Sequence, residues 1–83
     1  MTVEEQQMVE YLEKIIRKPD VTIDENTPLV SAGLIDSLAL ADVLMKLEDL
    51  TRMRIPPGKV QPKDLDRVSL MFETAQRVGK PRK

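Results

Sequence analysis

The sequence has no cysteine, no histidine and no tryptophan, and its only aromatic residues are Tyr11 and Phe72. The first two absences remove the thiolate nucleophile, the imidazole base and the usual zinc ligands together. Carboxylates and lysines remain, but no pair of them stands isolated in an apolar setting. A self-contained enzyme is therefore not expected, and no residue is assigned a catalytic or metal-binding role. Long apolar runs are missing as well: nothing approaches the roughly 20 residues that cross a bilayer. The opening Met1-Thr2-Val3-Glu4-Glu5 is acidic and polar, unlike a secretory signal, so a cytoplasmic protein is expected. With so few aromatics the interior must be built from Leu, Ile, Val and Met, a packing that tolerates adjustment.

The chain has 83 residues, too few for two independent cores, and residues 1–83 are read as one domain with a flexible basic tail at 80–83. The net charge of −1 hides a strong asymmetry. Residues 1–50 carry 11 acidic and 4 basic groups, whereas residues 51–83 carry 3 acidic and 9 basic, giving −7 and +6. An acidic first half is suited to steering basic partners, although from charge alone a solvated surface is the simpler reading.

The pattern is helical, and the fold class expected is all-α: a small bundle of three longer helices and one short one. Val3, Met8, Val9, Leu12, Ile15 and Ile16 form one stripe, opened by Thr2 with Glu5 three residues on and stopped by Pro19. Residues 18–36 hold Pro19, Pro28 and Gly33 but also Val21, Ile23, Leu29, Val30, Leu34 and Ile35, so they read as a long loop lying on the bundle. Leu40, Val43, Leu44, Leu47 and Leu50 or Thr51 mark the buried face of a second helix, and Ile55-Pro56-Pro57-Gly58 forbids its continuation. Val60 and Leu65 anchor a short helix around residues 62–66. Val68, Met71, Phe72, Ala75 and Val78 line a last helix over residues 67–78, which Gly79 and Pro81 end.

The start of the second helix draws attention. Gly33-Leu34-Ile35-Asp36-Ser37-Leu38 puts a serine where backbone N–H groups lack internal partners and the helix dipole is positive, a favourable seat for a phosphate diester on Ser37. By itself, Asp36-Ser37 is first a capping signal worth roughly 0.5–2 kcal/mol. Beside the buried stripe, Leu38, Ala41 and Met45 with Asp42, Glu48 and Asp49 form a mixed apolar and acidic face, either a docking surface or a widening of the core stripe.

These motifs resemble the acyl and peptidyl carrier protein family: a first helix, a long loop, Gly-Leu-Ile-Asp-Ser-Leu, then Leu44-Met45-Lys46-Leu47-Glu48-Asp49 and an Ile55-Pro56 break. The resemblance implies a small carrier-like helical bundle of three longer helices and one short helix. It also implies that Ser37 carries 4′-phosphopantetheine, attached from coenzyme A by a phosphopantetheinyl transferase with Mg²⁺. The thiol of that arm holds acyl or aminoacyl groups as thioesters. Asp36 is then expected to position the serine and to take part in transferase recognition. Leu38, Ala41, Asp42, Met45, Glu48 and Asp49 match the family's partner-recognition helix. The reactive sulfur arrives with the prosthetic group, so a chain without cysteine can serve.

Three departures separate the chain from the fatty-acid synthesis carriers: Ala39 where an acidic residue is common together with Lys46 in the helix, Thr51 where many members place a core phenylalanine, and a basic second half. Leu50 and Met53 are expected to fill the space left at Thr51. The departures suggest a dedicated carrier for a specialised pathway, and the resemblance implies fatty acid, polyketide or nonribosomal peptide biosynthesis as its setting. The expected partners are an acyl- or aminoacyl-adenylating ligase or a synthase or transferase, with no nucleic acid, no membrane and nothing demanding more than a monomer. The competing readings are an unmodified helical adaptor that binds through Leu38 and Met45, and a nucleic-acid-binding domain using the basic half, which the scarcity of aromatics disfavours.

Overall fold

The structure is a computed structural model describing residues 2–16 and 20–81. Three α-helices carry the fold, α1 (Val3–Ile16), α2 (Ser37–Thr51) and α3 (Val68–Val78). Between α2 and α3 lie a short strand β1 (Met53–Arg54) and 3-10 turns at Pro57–Lys59 and Pro62–Leu65; β2 (Lys80–Pro81) follows α3.

Each helix has a local cause. Thr2 and Glu5 cap α1 reciprocally: the Thr2 N–H donates to Glu5 Oε1 (2.9 Å) and the Glu5 N–H to Thr2 Oγ1 (3.1 Å). The helix buries Met8, Val9 and Leu12. The proline stop expected at its end falls on residues 17–19, outside the described residues. In α2, Val43 and Leu47 are fully buried while Leu40, Leu44 and Leu50 are half-buried, the stripe expected from the periodicity. In α3, Val68, Met71 and Ala75 are buried and Phe72 and Val78 half-buried. Thr74 joins that inner face unforeseen, buried with its hydroxyl donating to the Asp64 carbonyl at 3.4 Å.

The three helices enclose an aliphatic core in which Met8, Leu12, Leu29, Leu47, Ile55, Met71, Val43 and Val68 are the largest fully buried side chains. Each such side chain contributes about 1.5–3 kcal/mol by leaving water. Leu29 belongs to the long loop, as do buried Ile23 and Ile35, so this segment is part of the core. Val21, Val30 and Leu34 pack against it half-buried, and the Ser69 N–H donates to the Glu25 carbonyl (3.0 Å), tying the loop to α3.

Three α-helices are observed, and a 3-10 element stands at the position expected for the short fourth helix. That element is a single 3-10 turn, Pro62–Leu65. Pro62 begins it, the Gln61 N–H donates to Asp64 Oδ2 (2.9 Å), and four residues close a tight turn without nucleating an α-helix. Nor did the periodicity indicate the two-stranded antiparallel ladder, in which Met53 faces Pro81 and Arg54 faces Lys80. The first two residues of the segment read as a flexible tail are thus paired, and Arg82 and Lys83 lie outside the described residues. Leu50 and Met53 only partly fill the space at Thr51: with Phe72 they line an open groove of about 600 Å³ at that end of α2.

Candidate functional site

The start of α2 is built by Asp36. Its backbone is extended (φ −106°, ψ −179°), its Oδ1 accepts the Ala39 N–H at 2.9 Å, and its carbonyl accepts the Leu40 N–H at 3.1 Å. Asp36 is therefore the cap and Ser37 the first helical residue, which settles a choice the sequence left open. Ser37 is exposed, and its hydroxyl makes no hydrogen bond among the described residues. The N–H groups of Ser37 and Leu38 likewise have no acceptor among the described residues, since the first helical donors to find one are those of Ala39 and Leu40. An exposed hydroxyl beside two open donors at the positive end of a 15-residue helix fits a phosphodiester in charge and hydrogen bonding.

The segment leading into this helix is held by a contact that has no local signal in the sequence. Asp66, in the bend between the Pro62–Leu65 turn and α3, accepts three successive backbone N–H groups on Oδ1: Leu29 at 3.0 Å, Val30 at 2.7 Å and Ser31 at 2.9 Å. Its Oδ2 accepts the Ser31 hydroxyl at 2.9 Å. The backbone N–H of Ser31, assisted by its hydroxyl and by the Val30 and Leu29 amides, holds the Asp66 carboxyl below its ordinary value of 3.8 against a smaller opposing desolvation. The partners are 35 to 37 residues apart, beyond the reach of any local pattern.

The face expected to meet partners lies on α2. Leu38, Ala41, Asp42, Met45 and Asp49 fall within an arc of roughly 100° at 3.6 residues per turn. All five are exposed, Leu38 at 83% and Met45 at 63%, so these two side chains do not widen the core stripe. Glu48 is placed differently: it is half-buried at the edge of this arc, and its Oε2 accepts the Ile55 N–H at 2.8 Å. Lys46, the only basic residue of α2, sits off the face with its Nζ 5.5 Å from the centre of the Tyr11 ring.

Among the described residues no group of three or more acidic, His or Cys side chains is arranged to hold a metal ion, and no helix is long and apolar enough to cross a membrane. No curated protein and no solved structure gives a significant match to the chain. Among protein families, residues 6–66 match the one described as phosphopantetheine attachment site, a span that takes in α1, the loop, all of α2 and Asp66. The chain accordingly belongs to the phosphopantetheine attachment family, the acyl and peptidyl carrier proteins to which 4′-phosphopantetheine is covalently joined.

Proposed function

We propose that Ser37 is the attachment residue and that the protein is a carrier presenting a thioester-bound acyl or aminoacyl group to successive enzymes. The observation supporting this reading is the exposed, unbonded Ser37 hydroxyl on the first residue of α2, beside two open backbone donors. When bound, phosphopantetheine supplies a thiol that holds the cargo. The protein supplies an address, a rigid stem and a high local concentration at partner sites. Asp36 holds the first turn in place, and its Oδ2, which makes no bond among the described residues, is free for contact with the transferase. Leu38, Ala41, Asp42 and Met45 form the docking face, with Asp49 beside them and Glu48 at its edge.

Within this reading residues 1–83 act as one carrier domain, and the Pro62–Leu65 turn stands for the short helix of a four-helix carrier bundle. The protein works in the cytoplasm as a non-catalytic carrier. The Gly-Leu-Ile-Asp-Ser form supports loading by an adenylate-forming ligase in a specialised pathway. The experiment is intact mass after treatment with coenzyme A, Mg²⁺ and a broad-specificity phosphopantetheinyl transferase. Addition of one phosphopantetheinyl group to the parent and none to Ser37→Ala is expected. A folded parent that gains no mass favours the unmodified adaptor, for which the exposed Leu38 and Met45 would be the binding surface.

A further inference from the structure

We propose that Asp66 is a positioning residue for Ser37, holding the chain that leads into α2 so that the serine is presented in one orientation to the enzymes that modify and use it. This rests on reading Ser37 as the attachment residue. The connection is continuous. The Asp66 carboxylate gathers the N–H groups of Leu29, Val30 and Ser31 and the Ser31 hydroxyl, and its backbone carbonyl also accepts the Leu29 N–H at 2.7 Å. The segment so held then folds on itself. The Leu29 carbonyl accepts from Leu34 (2.8 Å) and Ile35 (3.2 Å), and the Val30 carbonyl from Gly33 (3.0 Å), whose φ of +73° lets the chain turn back. Ile35, buried in the core, is followed directly by the cap Asp36 and then Ser37.

Asp66 has a firm footing for this task. Leu65 before it is 3% exposed and Val68 just beyond is fully buried, so the carboxylate projects from a bend anchored on both sides. Three consecutive N–H groups converging on one oxygen form an anion-binding nest filled by the protein's own side chain. A neutral side chain of similar size would leave these donors with a weaker partner, and alanine would leave Val30 and Ser31 none and Leu29 only the backbone carbonyl of residue 66. The Ser37 hydroxyl and the open N–H groups beside it would then be carried on a loop whose lead-in is no longer determined. Only a misplaced serine, and not a mere loss of stability, would change how the apo protein meets a transferase.

The test compares Asp66→Ala, Asp66→Asn and Ser31→Ala with Val9→Ala, a core truncation on α1 that lowers stability without touching these contacts. Two readouts are taken under conditions in which each variant is folded by circular dichroism. One is the ¹⁵N amide spectrum and amide exchange of the apo protein, and the other is KM and kcat for its modification by a phosphopantetheinyl transferase with coenzyme A and Mg²⁺. Asp66→Ala is expected to shift the Ser37 and Leu38 amides, to open residues 29–31 to exchange, and to lower kcat/KM about tenfold, chiefly through KM. Asp66→Asn, which keeps an acceptor oxygen, and Ser31→Ala should fall between it and the parent, and Val9→Ala should match the parent in both readouts. The proposal is overturned if Asp66→Ala leaves the Ser37 amide and kcat/KM unchanged, or if Val9→Ala produces the same loss. Should Asp66→Ala fail to fold, parental behaviour of both Asp66→Asn and Ser31→Ala overturns it. If the parent itself takes no phosphopantetheine, the assignment of Ser37 fails. The amide spectra then decide separately whether Asp66 holds Ser37 in place.

Discussion

Asp66 shows what one carboxylate can do for a small domain. Hydrogen bonds to a charged group contribute about 1.5–3 kcal/mol each before the cost of ordering the loop, so four on one side chain make it a principal tie between loop and bundle. The tie carries a pH signature. Its folded-state pKa lies below the ordinary 3.8, so in the acid range the unfolded chain binds the proton more readily than the folded one. The stabilisation is therefore whole above the ordinary value and is lost as the pH falls through the lower, folded-state value. We expect the urea midpoint of the parent to drop steeply below about pH 4, and that of Asp66→Ala to start lower and drop less over the same range. Parallel curves for the two proteins would show that the carboxylate is not selectively stabilised. None of this was legible beforehand: Asp66 sits in a polar run between apolar anchors, and its partners are backbone groups, which carry no residue-type pattern. A cap at Asp36 or Ser37 was legible, because a cap acts on a residue two or three positions away and sequence records such short-range pairings; which of the two it is was left to the structure.

The three helices could be read from periodicity because one face of each is buried, and the loop anchors because apolar residues in a polar, proline-marked segment have nowhere else to go. The short elements were misread for the opposite reason. The prolines at 56 and 57 forbid a helix, and α2 has already ended at Thr51, as its stripe to Leu50 or Thr51 expects; the way it ends is what was not legible, with Arg52 in a left-handed conformation at φ +55°. Glycine usually fills that position, and an arginine there gives no warning of it. The Glu48 carboxylate reaches the Ile55 N–H just beyond, so the chain reverses under a side chain that helical phase alone had assigned to the docking face. Two-residue strands such as β1 and β2 show no alternation to read. The left-handed cap leads to a prediction. Arg52 is exposed, so Arg52→Gly removes backbone strain without disturbing packing and should raise stability by about 0.5–1 kcal/mol, measured as a higher urea midpoint at constant slope. A lower midpoint would show that the arginine side chain makes a contact worth more than the strain it imposes.

Taken whole, the molecule is asymmetric in charge along the chain, and the asymmetry divides its elements. The acidic first half supplies α1, the loop and α2, and the basic second half supplies the turns, β1, α3 and β2. Lys46, the basic residue that interrupts the acidic helix in sequence, lies over Tyr11 on another side of α2. What remains around Leu38 and Met45 on the exposed arc is acidic, with Asp42 close by. Under the proposed reading this exposed apolar pair is the interaction surface, and carboxylates at its margin would raise the encounter rate with a basic enzyme. The two contributions separate experimentally in the kinetics of transferase association. Truncating Leu38 to alanine should weaken binding about tenfold, mainly through faster dissociation. Stability should change by less than about 0.5 kcal/mol, because the side chain is 83% exposed and supports nothing in the core. Asp42→Lys should instead slow association and flatten its dependence on salt, leaving dissociation near the parental rate. If Leu38→Ala loses stability and not affinity, the residue packs in solution and the docking face lies elsewhere. If Asp42→Lys acts on dissociation, the carboxylate is a direct contact and the acidic margin is part of the interface.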